Sequence, residues 1–137
     1  MNKMEELYPL ILEAFNKGLT FTFPIHGTSM QPLLKTGDLV VLKKIDAKLK
    51  KGDIILYQRV DKSFVLHRIR KVKKDSYTLV GDHQYLLEKG ILDSQIIGVV
   101  IAYQKKDKVY TMKNLKYKLY KILVRIGIIR KIFGRFF

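Results

Sequence analysis

Asp53-Ile54-Ile55-Leu56-Tyr57-Gln58-Arg59-Val60, Asp61-Lys62-Ser63, then Phe64-Val65-Leu66-His67-Arg68-Ile69-Arg70-Lys71-Val72: these twenty consecutive residues set the class of the molecule. Two runs rich in β-branched and aromatic residues flank a polar turn, which predicts strands over 53–60 and 64–72. The same texture continues on both sides, from Leu19 to Tyr110. Thr20–Pro24 alternates, Asp38–Lys43 is β-branched and apolar, and Tyr77–Val80 and Ile96–Gln104 complete the set. Thr36-Gly37-Asp38, Lys51-Gly52-Asp53, Lys73-Lys74-Asp75-Ser76 and Gly81-Asp82 are the turn signals between them. Many short strands at this spacing predict a mainly β domain, built as a small barrel or a folded β-ribbon.

Both ends read as helices. Over 4–17, Leu7, Leu10, Ile11, Ala14 and Phe15 recur at helical spacing, and Gly18 closes the segment. Pro9 suits a first turn, so this helix is expected to start in effect near Tyr8. Residues 113–137 read as a basic amphipathic helix. Leu115, Leu119, Ile122, Ile126 and Ile129 mark one face, Lys and Arg crowd the rest, and no acid is present. The expected organisation is a single domain over 1–112, with a helix over 1–18 and a β core over 19–112, followed by the basic helix.

Composition narrows the partners. A chain of 137 residues fits one domain and can bury a real core without metal or disulfide staples. At 47% hydrophobic residues it is not a disordered chain. With no cysteine, disulfides, thiolate metal sites and a cysteine nucleophile are excluded. The net charge of +15 favours nucleic acid, anionic lipid or an acidic partner. The basic tail has three readings. It can lie on an anionic membrane surface, pack its apolar stripe on the β core, or bind nucleic acid. Phe133, Phe136 and Phe137 favour lipid, and nucleic acid is the reading the tail supports least. No stretch reaches the roughly 20 apolar residues of a membrane span. Glu5 and Glu6 stand where a cleaved signal peptide would be positive. Cytoplasmic residence, peripheral at the membrane, is the expectation.

Three places carry residues fit for chemistry. In His26-Gly27-Thr28-Ser29-Met30-Gln31-Pro32-Leu33-Leu34, Gly27 removes bulk beside a serine and Pro32 stiffens the chain after it. A nucleophilic serine needs such an exposed, rigidly placed hydroxyl, although Gly-x-Ser is also common in ordinary turns. In the run 64–72, alternation puts Val65, His67 and Ile69 on one face. A neutral imidazole there can take a proton from a serine near neutral pH, while a lone histidine is more often structural. Gly81-Asp82-His83-Gln84, with Glu88 and Asp93 downstream, offers a carboxylate to orient His67, although turn aspartates usually bond their own backbone.

The order of the pieces is more specific than any one of them. Gly-Thr-Ser-Met-x-Pro-Leu-Leu-x-x-Gly-Asp from Gly27, Lys-Gly-Asp-Ile-Ile-Leu-Tyr from Lys51, Val-Leu-His-Arg-Ile from Val65, Leu-Val-Gly-Asp from Leu79 and Ile-Ile-Gly-Val-Val from Ile96 follow in series. This series, over about residues 20–102, resembles the S24/S26 peptidase superfamily of type I signal peptidases and self-cleaving SOS repressors. The resemblance implies the folded β architecture of that superfamily and peptide-bond hydrolysis without metal or cofactor. Ser29 matches the nucleophile. Where bacterial signal peptidases and SOS repressors carry a lysine, this chain has His67, as in the His-Arg-Val form of archaeal and endoplasmic-reticulum signal peptidases. Gly81-Asp82 matches their Gly-Asp-Asn-Asn motif, and their acidic third residue falls on Glu88 or on Asp82. The Ser29 amide, with the Thr28 hydroxyl, would hold the oxyanion.

The chain departs from the pattern at three points. These residues are expected to carry no stretch like the usual membrane anchor, His83-Gln84 replaces the Asn pair, and Gly27 stands where many signal peptidases have a second serine. The expected activity is cleavage of a leader or precursor peptide at a membrane surface. The alternatives are a non-catalytic lipid- or protein-binding module on the same fold, and a self-cleaving regulator. The eighteen residues before Leu19 are too few for the DNA-binding domain a regulator would need.

Overall fold

The computed structural model describes residues 3–112. Helix α1 spans Lys3–Asn16, followed by β1 (Phe21–Pro24), β2 (Leu39–Lys43), β3 (Ile54–Gln58), β4 (Phe64–Val72), β5 (Tyr77–Val80), β6 (Glu88–Ile91), β7 (Ile96–Lys105) and β8 (Lys108–Thr111). All described strand pairs are antiparallel, in the order β1-β2-β7-β3-β4-β5-β6, with β8 also on β7. Over the described residues the molecule is thus mainly β with one short N-terminal α-helix. Among the described residues no pairing joins β1 to β6, so the sheet is open at those two strands. The basic helix expected over 113–137 lies outside the described residues.

Helix α1 starts earlier than its proline suggests. Pro9 lies inside it rather than at its start. It cannot donate a backbone hydrogen bond, yet the helix runs through it because its apolar stripe has somewhere to go. Ile11 and Phe15 are buried, and Met4 and Leu7 pack against the same core. Gly18 ends the segment at φ 75°. Its N–H bonds the Phe15 carbonyl at 3.0 Å, and the Leu19 N–H bonds that of Ala14 at 2.9 Å. This is a Schellman closure, which needs the left-handed conformation that glycine adopts freely.

Strand β3 is buried along its apolar length, and alternation explains why. Ile54 and Leu56 belong to a core shared with α1 and with Ile25, Met30 and Leu34. Ile55 and Tyr57 face the other way, into a second core with Leu49, Ile69, Leu79 and Ile91. A strand covered on both faces reads as a continuous apolar run, as this one does. The Gly37-Asp38 and Gly52-Asp53 turns have one build. In each, the Asp carboxylate accepts the N–H three residues back at 2.8 Å, and the Asp N–H bonds that residue's carbonyl. Gly37 and Gly52 sit at φ 95° and 98°.

Candidate active site

The segment between β1 and β2 carries Ser29. It leaves the sheet at Ile25, whose N–H bonds the Asp38 carbonyl at 2.9 Å and whose carbonyl accepts the Gly37 N–H at 3.0 Å. Gly27 is pinned at φ 94°, with the Thr36 hydroxyl bonded to both its N–H and its carbonyl at 3.1 Å. Met30, Leu33 and Leu34 anchor the far side in the core. Buried anchors on one side and a fixed glycine on the other hold Ser29 half-buried at the rim of a depression it shares with Phe64, Val65 and Leu66. Thr28 beside it is exposed.

The turn after β5 presses on Ser29 from the other side. The His83 N–H donates to the Ser29 carbonyl at 2.9 Å. A Cβ on Gly81 would stand 2.5 Å from that carbonyl oxygen and 3.0 Å from the Ser29 Cβ. Position 81 is therefore glycine because backbone meets backbone there. Asp82, fully buried, receives a fork from Arg68: Nε at 2.7 Å and Nη2 at 2.8 Å. The third guanidinium nitrogen, Nη1, donates to the Gly52 carbonyl at 2.8 Å. Arg68 thus ties β4, the 81–84 turn and the Gly52 turn together, with its charge compensated in the interior.

His67, next on β4, faces the second core and is only 5% exposed. Its Nδ1 lies 3.3 Å from the Tyr57 hydroxyl, which in turn donates to Glu88 at 2.6 Å. Arg59 forks onto the same carboxylate at 2.9 and 3.0 Å. Burial pushes the His67 pKa down to about 4, the Arg59 charge adds to this, and Glu88 and Asp82 oppose it. The resting imidazole is therefore neutral. Burial, then the adjoining Glu88, raises the Tyr57 phenol far above its usual value, so it keeps its proton. Burial raises the Glu88 carboxyl, but its bonds to Arg59 and Tyr57 outweigh this and hold it below the ordinary range.

The residues singled out from sequence thus fall into two linked groups. Ser29 and the 81–84 turn form one, and His67, Tyr57 and Glu88 the other, with the Asp82–Arg68 pair between them. The Ser29 hydroxyl makes no hydrogen bond to His67, and neither Asp82 nor Glu88 bonds the ring directly. Tyr57 and Arg59 are the members that sequence reasoning missed. The signal was present for Tyr57: it pairs with Val65 while Ile55 pairs with His67, so it is a diagonal neighbour on the face carrying the imidazole.

Comparison with known proteins places the chain in a family. The model of the family described as Peptidase S24-like matches residues 1–101. The catalytic subunit SEC11 of the signal peptidase complex from Lodderomyces elongisporus is 31% identical over 86 residues, 63% of this chain and 48% of that protein. The corresponding subunits of Scheffersomyces stipitis and Candida albicans are each 31% identical over 87 residues, with the same coverage. The chain thus spans about half the length of these relatives.

Proposed function

The chain belongs to the peptidase S24-like family, and from this we propose that it is a serine endopeptidase of signal-peptidase type, cleaving a leader or precursor peptide. Ser29 is the nucleophile and His67 its base. The observation that carries the reading is the bridge between them. One turn, 81–84, both abuts the Ser29 backbone and receives Arg68, the neighbour of His67. Such a bridge fixes the relative placement of two catalytic groups from separate elements, which acyl transfer requires.

In the proposed reaction, substrate binding closes the gap between hydroxyl and imidazole, as apo sites commonly tighten on binding. His67 takes the Ser29 proton as Oγ attacks the scissile carbonyl, and the Ser29 amide with the Thr28 hydroxyl holds the oxyanion. His67 returns the proton to the leaving amine, and water then hydrolyses the acyl-enzyme by the same path. Ile25, Phe64 and Leu66 line both the depression beside Ser29 and a neighbouring apolar groove edged by Met4 and Leu7 of α1. That groove suits an extended peptide with apolar side chains. Residues 113–137 would hold the enzyme on an anionic membrane surface. Among the described residues, no helix is long and apolar enough to cross a membrane.

The test is mass-spectrometric mapping of precursor-peptide cleavage by the full chain, beside Ser29→Ala and His67→Gln. Site-specific cleavage by the wild type, lost in both variants, is expected. Cleavage by Ser29→Ala at the wild-type rate would sink the assignment. Co-sedimentation tests the tail: equal recovery in the supernatant with and without anionic vesicles counts against membrane attachment. The lack of a hydrogen bond between Ser29 and His67 favours one second reading, a non-catalytic binding module on the same fold. Peptide bound but never cut would establish it.

A further inference from the structure

The contacts around Tyr57 contain more than a packing role. A phenol has one proton to give, and its oxygen can also accept. At 2.6 Å the Tyr57 hydroxyl is bonded to Glu88, whose two oxygens also receive the Arg59 fork. That fork keeps Glu88 ionised, and an ionised carboxylate only accepts. The single phenolic proton is therefore committed to Glu88. The same oxygen lies 3.3 Å from Nδ1 of His67. With its own proton engaged, it meets that nitrogen only as an acceptor, so the proton between them belongs to the ring.

We infer that Tyr57 is a positioning residue, which holds the resting His67 in the Nδ1-protonated tautomer and leaves the lone pair on Nε2. Resting on the proposed peptidase reading, this makes Nε2 the atom that takes the Ser29 proton. Glu88 then acts on the imidazole through the phenol rather than by touching it. Arg59 sets the direction of the relay by keeping the carboxylate charged. When the ring becomes an imidazolium, the Nδ1–H···O–H···carboxylate line is already aligned to share the charge.

The relay predicts non-additive mutants. Tyr57→Phe deletes the acceptor, so the ring loses its tautomer preference. Glu88→Leu leaves the phenolic proton with no carboxylate, free to turn onto Nδ1 and drive the ring to the Nε2-protonated form. That form is the wrong one for catalysis. Adding Tyr57→Phe to Glu88→Leu removes the misdirected donor and relieves the block.

The experiment is 15N NMR of histidine-labelled full-length protein near neutral pH, with His67 assigned by its loss in His67→Gln. A pyrrole-type Nδ1 and a pyridine-type Nε2 are expected in the wild type. The expected pattern is mixed in Tyr57→Phe and reversed in Glu88→Leu, and the double variant returns toward Tyr57→Phe. With a cleavable peptide, Tyr57→Phe should lower kcat roughly ten- to a hundredfold with little change in KM. A wild-type ring protonated on Nε2 overturns the inference, whatever the variants do. So does a Tyr57→Phe spectrum identical to the wild type. Because the spectra need no substrate, an Nδ1-protonated ring in a protein that cuts nothing would sink the peptidase reading alone. An active enzyme with the other tautomer would sink the relay alone.

Discussion

Acidification should weaken this fold from about pH 6.5 downward, and His67 is the reason. The ring is 5% exposed and its pKa is pushed from 6.5 down to about 4, chiefly by burial. The folded value lies below the unfolded one, so the unfolded chain binds the proton first. Stability is complete above about pH 6.5 and drains away as the pH falls toward about 4. Over the whole window roughly 3 kcal/mol is at stake, and about 2 kcal/mol of it between pH 7 and pH 5. Glu88 is shifted in the same direction, to a folded pKa below its ordinary value, but it starts from the carboxylate range, so its contribution is lost only at lower pH. Urea titrations of the full chain at pH 7, 6 and 5 should show the midpoint falling by about 1 M in total with an unchanged slope. In His67→Gln that fall should largely vanish. Equal midpoints at pH 7 and 5 in the wild type, or the same fall in the variant, would refute the buried neutral imidazole.

Gly81→Ala places a methyl 2.5 Å from the Ser29 carbonyl oxygen, a backbone atom that cannot swing aside. It should cost about 1–3 kcal/mol in chemical denaturation, and peptide cleavage should fall much further than stability does. Asp82→Asn breaks the buried fork with Arg68 and should cost about 3–5 kcal/mol. Glu88→Gln, at a part-exposed pair, should cost less than about 1 kcal/mol; denaturation curves of similar depth for the two would contradict the difference in burial. Ser29→Ala should abolish cleavage while moving stability by less than about 0.5 kcal/mol; a large loss of stability would make Ser29 a structural residue.

The strands legible in the sequence are those whose burial alternates or saturates. The bounds of β4 and β5, Phe64–Val72 and Tyr77–Val80, are the ones the residue pattern predicts. The elements it misses carry no such pattern. Strand β6, Glu88-Lys89-Gly90-Ile91, buries only Ile91 and holds Gly90 at φ 76°. It is a strand because Tyr77 pairs with Ile91 and Leu79 with Glu88, contacts no local rule contains. Strand β8 is mostly exposed. It returns along β7 through a two-residue turn, Lys106-Asp107, with Lys106 at φ 54° where glycine or asparagine would be the usual signal. Helix α1 erred the other way. Pro9 argued for a late start, and packing of Met4 and Leu7 on the core outweighed it.

The site divides along the same line. Ser29, His67, Asp82 and Glu88 are visible through the ordered series of motifs, each being weak on its own. Their division of labour is not, since it depends on which turn meets which strand. The sequence offers Asp82 and Glu88 as alternatives for one role, and the fold gives them different neighbours. Asp82 sits in the turn just beyond β5, whose Val80 pairs with Arg68, and there the buried guanidinium bonds both its oxygens. Glu88 starts β6, beyond the ring of Tyr57, at a surface open enough for Arg59 to reach it. A carboxylate bound to a buried arginine is poorly placed to follow a proton on and off an imidazole, because its charge is already committed to holding the fold. One shared with a phenol can respond, because the phenol's oxygen remains available to the ring. That physical difference, rather than position along the chain, makes Glu88 the better partner for His67 in the proposed mechanism and Asp82 the clamp that keeps the Ser29 turn against the sheet.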